Sequence, residues 1–364
     1  MKKPTIILFL PSLQSGGAQQ QCLYMVKGLS DLYKFILIYD EEGPLYQNFY
    51  NSGINLIKLN ISKSNYLFIR GLKYLARLNK IIKEIKPAII YSWMQKANIS
   101  IFLIRLLPKK KSNFKHVTSI RFGKVPNAIN VRTWLELKLL GLAYQQSSLI
   151  IANSFSGRDH TMKLFNLDNK KIKVINNYIT LPQNVKKNDS INDNIINVGF
   201  VGRLDRIKNP FGLIDSIAYL PIKKYRIKFF GHEESITKSQ INKYAIRKNV
   251  NVEFFDHERN KRKIFSSINL LVSPSIFEGS SNVILEAFSY GLPIVATDVG
   301  DNNIYCANNR GSIVPVGGTK KLSEKIIYEI KNNNEQKVKN RIDYVKNNFS
   351  KLKMINDYKI YFGN

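Results

Sequence analysis

Cysteine is almost absent. Two of them, Cys22 and Cys306, stand in 364 residues, too few and too far apart for a disulfide framework. With no apolar leader behind Met1-Lys2-Lys3-Pro4, they point to a reducing cytoplasm. Long apolar runs are missing too. The longest stretch without charge, between Lys138 and Arg158, carries Gln145, Gln146, Ser147, Ser148 and Asn153 and is too polar to span a bilayer. Acidic residues are scarce: 26 Asp and Glu face 56 Lys and Arg, a net charge of +30. The partners are therefore expected to be anionic, whether nucleic acid, a phospholipid surface or phosphorylated small molecules. Zinc-finger and RNA-recognition signatures are lacking, as is aromatic-basic interleaving, so a nucleic-acid partner rests on charge alone and is not expected.

What is present is ordinary globular composition, 44% hydrophobic and 11% aromatic, in a chain long enough for two cores. Short β-branched runs alternate with amphipathic stretches, the pattern of parallel sheets with helical crossovers. Strands are expected at 5–10, 34–39, 88–93, 116–120, 148–153 and 171–177. A second series follows at 196–202, 225–231, 251–255, 269–273 and 293–297, with helices near 209–219, 236–248, 281–290 and 319–331. The polar, Asn-rich stretch between the two series reads as a linker. The fold class is α/β: two doubly wound, Rossmann-like domains facing each other across a cleft, 1–181 and 195–345, joined by 182–194. A terminal helix within 346–364, apolar at Phe349, Leu352, Ile355, Tyr358 and Phe362, either packs on the second domain or straps both domains by docking on the first.

Three strand-to-helix loops carry candidate chemistry. The densest runs Ser273 to Pro293: a strand end, the small-residue turn Gly279-Ser280-Ser281-Asn282-Val283, and a helix whose free N–H groups suit an anion or a polyhydroxylated ligand. Glu278 lies in the turn and Glu286 more than a turn into the helix, so the two would touch different parts of an elongated ligand. The second loop, Gly202-Arg203-Leu204-Asp205-Arg206-Ile207-Lys208-Asn209, offers Arg203 and Lys208 as a diphosphate clamp, the first bidentate and the second a point charge. In the third, Gly16 and Gly17 follow the first strand and permit close approach of a phosphate or sugar. It is not the G-x-G-x-x-G dinucleotide fingerprint.

Together these segments resemble the large retaining glycosyltransferase family usually numbered four, which has the GT-B fold. The resemblance rests on Glu-x7-Glu (Glu278 to Glu286), GRLDRIKNP, the GGA loop and the late GLPIVATDVGDN, and it covers essentially the whole chain. It implies that Glu278 contacts the transferred sugar, Glu286 the nucleotide ribose, and Arg203 and Lys208 the diphosphate. It also implies that no metal or other cofactor is needed, in keeping with the lack of an Asp-x-Asp motif, and that the leaving phosphate takes the acceptor's proton. Many relatives carry a histidine after the strand written here AIIYSWMQKAN, a position that none of the four histidines occupies; Lys96 and Arg121 are the alternative acceptor-side candidates. A sugar-nucleotide epimerase or hydrolase, or a phosphorylase needing pyridoxal phosphate, would share such a fold.

Residues 51–150 hold 18 Lys and Arg and two acids, Glu84 and Glu136. The helix expected from Tyr66 to Lys86 interleaves Arg70, Lys73, Arg77, Lys80, Lys83 and Lys86 with Leu72, Leu75, Leu78, Ile81 and Ile82. Farther on, Pro108-Lys109-Lys110-Lys111 forms a patch. Two readings stand: a basic amphipathic helix on an anionic membrane, or an ordinary packing helix with a solvated face. On the first, the protein is peripheral on the inner face of the cytoplasmic membrane. There it would take a nucleotide sugar and a lipid-linked saccharide acceptor of undecaprenyl diphosphate type, in surface polysaccharide synthesis.

Overall fold

The computed structural model describes residues 3–14, 16–60, 67–107, 113–121, 130–182, 195–256, 258 and 260–363, leaving aside the side chains of 67–70. It divides into two compact units, Met1–Asn177 with Met354–Asn364, and Tyr178–Lys353.

The first unit alternates strand and helix. It begins β1 (Thr5–Phe9), α1 (Gly17–Leu29), β2 (Lys34–Tyr39), α2 (Tyr46–Tyr50), β3 (Asn55–Lys58) and α3 (Leu67–Ile85). It continues β4 (Ile89–Ser92), α4 (Met94–Arg105), β5 (Lys115–Ile120), α5 (Val131–Gln146), β6 (Leu149–Ala152), α6 (Phe155–Phe165) and β7 (Ile172–Val174). All seven strands run parallel in the order β3-β2-β1-β4-β5-β6-β7. Helices cover both faces, so the central strands are buried along almost their whole length. That is why TIILF, IIYS and LIIA are continuous apolar runs rather than alternating ones. Each fully buried Ile or Leu contributes about 1.5–3 kcal/mol of apolar burial.

The second unit repeats the plan with β8 (Ile196–Val201), α7 (Pro210–Ile217), β9 (Tyr225–Phe230), α8 (Lys238–Arg247), β10 (Asn251–Phe255) and α9 (Lys261–Ser266). Then follow β11 (Leu270–Ser273), α10 (Asn282–Ser289), β12 (Ile294–Thr297), α11 (Asn302–Cys306), β13 (Ser312–Val314), α12 (Thr319–Lys331) and α13 (Glu335–Asn348). Its six parallel strands lie in the order β10-β9-β8-β11-β12-β13. Both orders are the doubly wound 3-2-1-4-5-6 pattern, extended by one strand in the first unit. Among the described residues no helix is long and apolar enough to cross a membrane.

The terminal stripe divides where the sequence shows one helix. Phe349 closes α13 and packs edge-on against Tyr305 and Tyr344 of the second unit. After it, α14 (Lys351–Phe362) buries Met354, Tyr358 and Phe362 on the first unit, with Phe362 edge-on to Tyr33 and Tyr91. Leu352, part of the expected stripe, is 68% exposed. Tyr178–Leu181 fall in the second unit, where Ile179 N–H donates to Phe349 O at 2.9 Å, while 183–194 lie outside the described residues.

Both cysteines are buried, one in each unit. Burial pushes both thiols up, that of Cys306 to about 12, and a protonated, covered thiol is a poor nucleophile. The native protein is expected to leave a disulfide-exchange reagent unconsumed and to titrate two thiols after unfolding in guanidinium. A fast native phase would refute this.

Candidate active site

Strand order reverses at β8 and β11, which are neighbours although they are not consecutive in the chain. Crossovers on the two sides of such a point leave by opposite faces, and the loops beyond the strand ends part to form a crevice. Here those loops are 202–209 and 274–281, the two richest in candidate residues.

The loops are tied to each other by main-chain geometry. Ile276 N–H donates to Ile207 O at 2.7 Å, and Asn209 Nδ2 donates to Pro274 O at 3.2 Å. Asn209 sits in the left-handed region (φ 56°), and its Oδ1 caps α7 by accepting from Gly212 N–H, with Pro210 at the first helical position, an arrangement that starts a helix sharply. Asp205 Oδ1 accepts from Lys208 N–H at 2.7 Å. A third segment closes on the turn: Asp301 N–H donates to Gly279 O at 3.0 Å, and Thr297 Oγ1 donates to Ser275 O at 2.5 Å. Gly300 has φ +57°, and a Cβ there would lie 2.4 Å from Gly279 O, so the glycine in GLPIVATDVGDN is required by this approach. Gly231 meets the other loop in the same way, its would-be Cβ 1.8 Å from Gly202 O.

Within this frame Lys208 Nζ donates to Glu278 Oε1, and Ser275 Oγ donates to the same oxygen at 2.9 Å. The side chains of Lys208 and Glu278 are 20% and 12% exposed, a charged pair at the crevice floor. Glu286, farther along α10, accepts from Lys261 Nζ at 2.6 Å. Arg203 does not join Lys208 on one partner. Its guanidinium lies 3.1 Å from Asp205 Oδ2 and 3.7 Å from Glu234 Oε1, half exposed.

Ser281 precedes α10 without making a side-chain cap, and its buried Oγ has no hydrogen-bond partner among the described residues. The first turn of that helix therefore takes no side-chain acceptor from the residue best placed to supply one. Ser280 Oγ is engaged with Tyr305 OH at 2.7 Å, and Val283 is half-buried. Lys261, Asp205 and Glu234 were not legible as site residues. Lys261 lies in a basic run where one lysine looks like the next, and only the fold brings it to a carboxylate 25 positions away.

The first-unit candidates form separate groups. Gly16 is the residue before α1 and Gly17 its first residue. Lys96 pairs with Asp40 Oδ2 at 2.5 Å, to which Tyr74 OH also donates. Arg121 stacks on Trp93 with its Cζ 3.8 Å from the ring centre, and donates to Tyr91 OH and to Tyr358 OH of α14. It thereby links the terminal helix to the sheet. Lys109, Lys110 and Lys111 lie outside the described residues. His116, on the strand beside AIIYSW, accepts or donates at Ser92 Oγ (3.0 Å) in a site only 1% exposed. Burial pushes its pKa down to about 3, so it stays neutral at physiological pH and serves the core.

The apolar side of α3 is spent on packing. Leu78 and Ile82 are buried in the first unit's core with Tyr74, Leu75, Ile81 and Ile85 against them, while Lys73, Arg77, Lys80 and Lys83 are exposed. The packing reading of this helix holds from Tyr74 to Ile85, whose apolar side chains join the core cluster, while Leu72 at its start is 53% exposed.

Residues 15–181 match the model described as Glycosyltransferase Family 4, and residues 183–348 that of Glycosyl transferases group 1. With two Rossmann-like parallel sheets already in view, these matches indicate a glycosyltransferase of the GT-B type. The chain is 24% identical over 288 residues to the capsular polysaccharide biosynthesis glycosyltransferase CapM of Staphylococcus aureus, covering 72% of this chain and 73% of that one. It is 23% identical over 365 residues to the N-acetylgalactosamine-N,N'-diacetylbacillosaminyl-diphospho-undecaprenol 4-alpha-N-acetylgalactosaminyltransferase of Campylobacter jejuni, covering 96% and 97%. Among solved structures it resembles Anabaena HepE in complex with UDP, with a TM-score of 0.83 at 18% identity and 99% coverage of both chains. A glycosyltransferase from Rickettsia africae gives 0.80 at 20% identity and full coverage of both.

Proposed function

We propose that the chain transfers a hexose or N-acetylhexosamine from a uridine diphosphate sugar to a lipid-linked saccharide of undecaprenyl diphosphate type, with retention and without a metal or other cofactor. The setting is surface polysaccharide synthesis at the cytoplasmic face of the inner membrane. The observation that carries the reading is the crevice at β8 and β11, where Lys208, Glu278 and the start of α10 meet. Cleaving the anomeric bond places negative charge on the departing diphosphate and positive charge on the sugar ring. Fixed donors lower the barrier only if they face that developing charge. Lys208, the N–H groups of α10 and Arg203 are such donors; Glu278 takes sugar hydroxyls, and Glu286, held by Lys261, takes the ribose. UDP in the HepE structure and the diphospho-undecaprenol in the name of the Campylobacter relative support the nucleotide and the acceptor class.

A thermal-shift screen of uridine and guanosine diphosphate sugars tests the donor. One uridine-linked sugar is expected to stabilise the fold, Glu286→Ala to abolish that shift, and Glu278→Ala to keep it while losing turnover. Chelation with EDTA is expected to leave turnover unchanged. Stabilisation by guanosine sugars alone, or consumption of the donor without lipid extract at the same rate as with it, would sink the reading.

A further inference from the structure

With α3 occupied by packing, the first unit still carries an apolar stripe open to solvent. On α5, Leu140, Ala143 and Tyr144 face the core. On the opposite side, Val131 is 81% exposed, Trp134 52%, Leu135 51% and Leu142 43%. At 100° per residue these four, together with Lys138, fall within one arc of roughly a third of the helix circumference. Lys138 Nζ sits 5.2 Å from the Trp134 ring centre. The helix carries one acid, Glu136, whose charge is matched by Arg132 at 3.0 Å. The stripe has an extension. Arg105 Nη1 donates to Gln146 O at 3.0 Å, bringing the end of α4 to the end of α5, and Leu106 and Leu107, 55% and 44% exposed, follow at once. The sequence then runs into Pro108-Lys109-Lys110-Lys111.

We infer that the outer face of α5, continued by Leu106 and Leu107, is a docking surface for an anionic lipid bilayer. An exposed tryptophan flanked by aliphatic side chains and cations matches the layered polarity of the headgroup region, with the ring and aliphatic groups below the phosphates and the lysine among them. A patch serving an ordinary protein partner would not need cations along it: Lys138 lies on this face beside Trp134, Arg105 stands where α4 meets the end of α5, Lys109, Lys110 and Lys111 follow Leu107 in the sequence, and cations near an anionic surface add to binding. The helix also holds its shape unaided. Asn130 and Thr133 form a capping box at its start, so its first turn stays together with no partner present. The inference rests on the lipid-linked acceptor proposed above, and places the contact on α5 rather than α3.

Flotation with vesicles of equimolar phosphatidylcholine and phosphatidylglycerol tests it, using the full chain. The wild type is expected to float with them, less so as salt rises, and to stay down with pure phosphatidylcholine. Trp134→Gln combined with Leu135→Gln is expected to cut partitioning on the order of ten-fold, and Lys138→Glu several-fold. Both changes lie on exposed positions, so the melting temperature and the donor-induced thermal shift should not move. That last readout separates failure of this inference from failure of the donor assignment. Three results would overturn the inference: no flotation of the wild type, unchanged flotation of the double variant, or a wild-type dimer that the double variant dissolves without any change in vesicle binding.

Discussion

Lys208→Ala is expected to lower kcat by about two to three orders of magnitude, the usual cost of removing one donor aimed at charge that develops in the transition state. Glu278→Ala should cost a comparable amount, and the two losses should not multiply. Lys208 and Glu278 share a hydrogen bond in the donor-free protein, and residues in direct contact act as a unit. Removing either leaves the other largely enclosed without its counter-charge, so each single variant disturbs the second residue as well. A double-mutant cycle on kcat, followed by release of uridine diphosphate, reads the coupling directly. A double variant only slightly worse than either single one is the expected result. Losses that multiply would mean that the pair merely coexists and that Lys208 acts on the diphosphate independently. Lys208→Met, which keeps the stem that runs past Gly202 with Cε 3.6 Å from its would-be Cβ, separates loss of charge from loss of packing.

The parts of this site visible in the sequence were those in which one local segment carries both a backbone signal and a charge. Glu278 follows a strand end and precedes a small-residue turn, Lys208 sits just before Asn-Pro, and both signals survive without the fold. Central strands were visible for a related reason: burial on both faces makes them apolar throughout. The short edge strands β3 and β13 were not, since Asn55–Lys58 is only half covered and Ser312–Val314 is three residues long. Helix α13 buries Arg341 and Val345, and its stripe of Val338, Ile342 and Val345 went unread because lysines and asparagines fill the rest of the segment. The pairing of Lys261 with Glu286, and of Arg203 with Asp205 and Glu234 rather than with Lys208's partner, depends on which strands are neighbours. Charge counting does not contain that information. The same limit explains α3 and α5: the sequence shows amphipathic character in α3, but only the structure shows that its apolar side is used from Tyr74 to Ile85 and that α5 carries the longer uncovered stripe.

Arg341→Met is expected to destabilise the second unit by about 3–5 kcal/mol, the cost of breaking a buried pair from one side. Arg341 is fully buried and Glu329 is 1% exposed, with Nη2 donating to Glu329 Oε2 at 3.2 Å. The same guanidinium donates to Arg310 O at 2.6 Å and Gly291 O at 3.1 Å, and Gly291 follows the end of α10. It thus fastens α13 to the helix that carries Glu286. In the variant, Glu329 keeps Ser312 Oγ at 2.7 Å and Lys337 at 3.7 Å, too little to compensate a carboxylate cut off from water. Replacing both partners, as in Glu329→Leu with Arg341→Met, should recover part of the loss because no carboxylate is then left buried without the guanidinium, although Lys337 loses its 3.7 Å partner. The measurement has a built-in control. Both tryptophans, Trp93 and Trp134, belong to the first unit, so fluorescence reports that unit alone while far-ultraviolet circular dichroism reports both. Arg341→Met should split off an early circular dichroism transition that tryptophan emission does not follow; coincident transitions at the wild-type midpoint would contradict the assignment. Donor at about a hundred times its Kd should return about 2.7 kcal/mol by mass action. If the donor binds this unit through Glu286, the early transition is the one that moves.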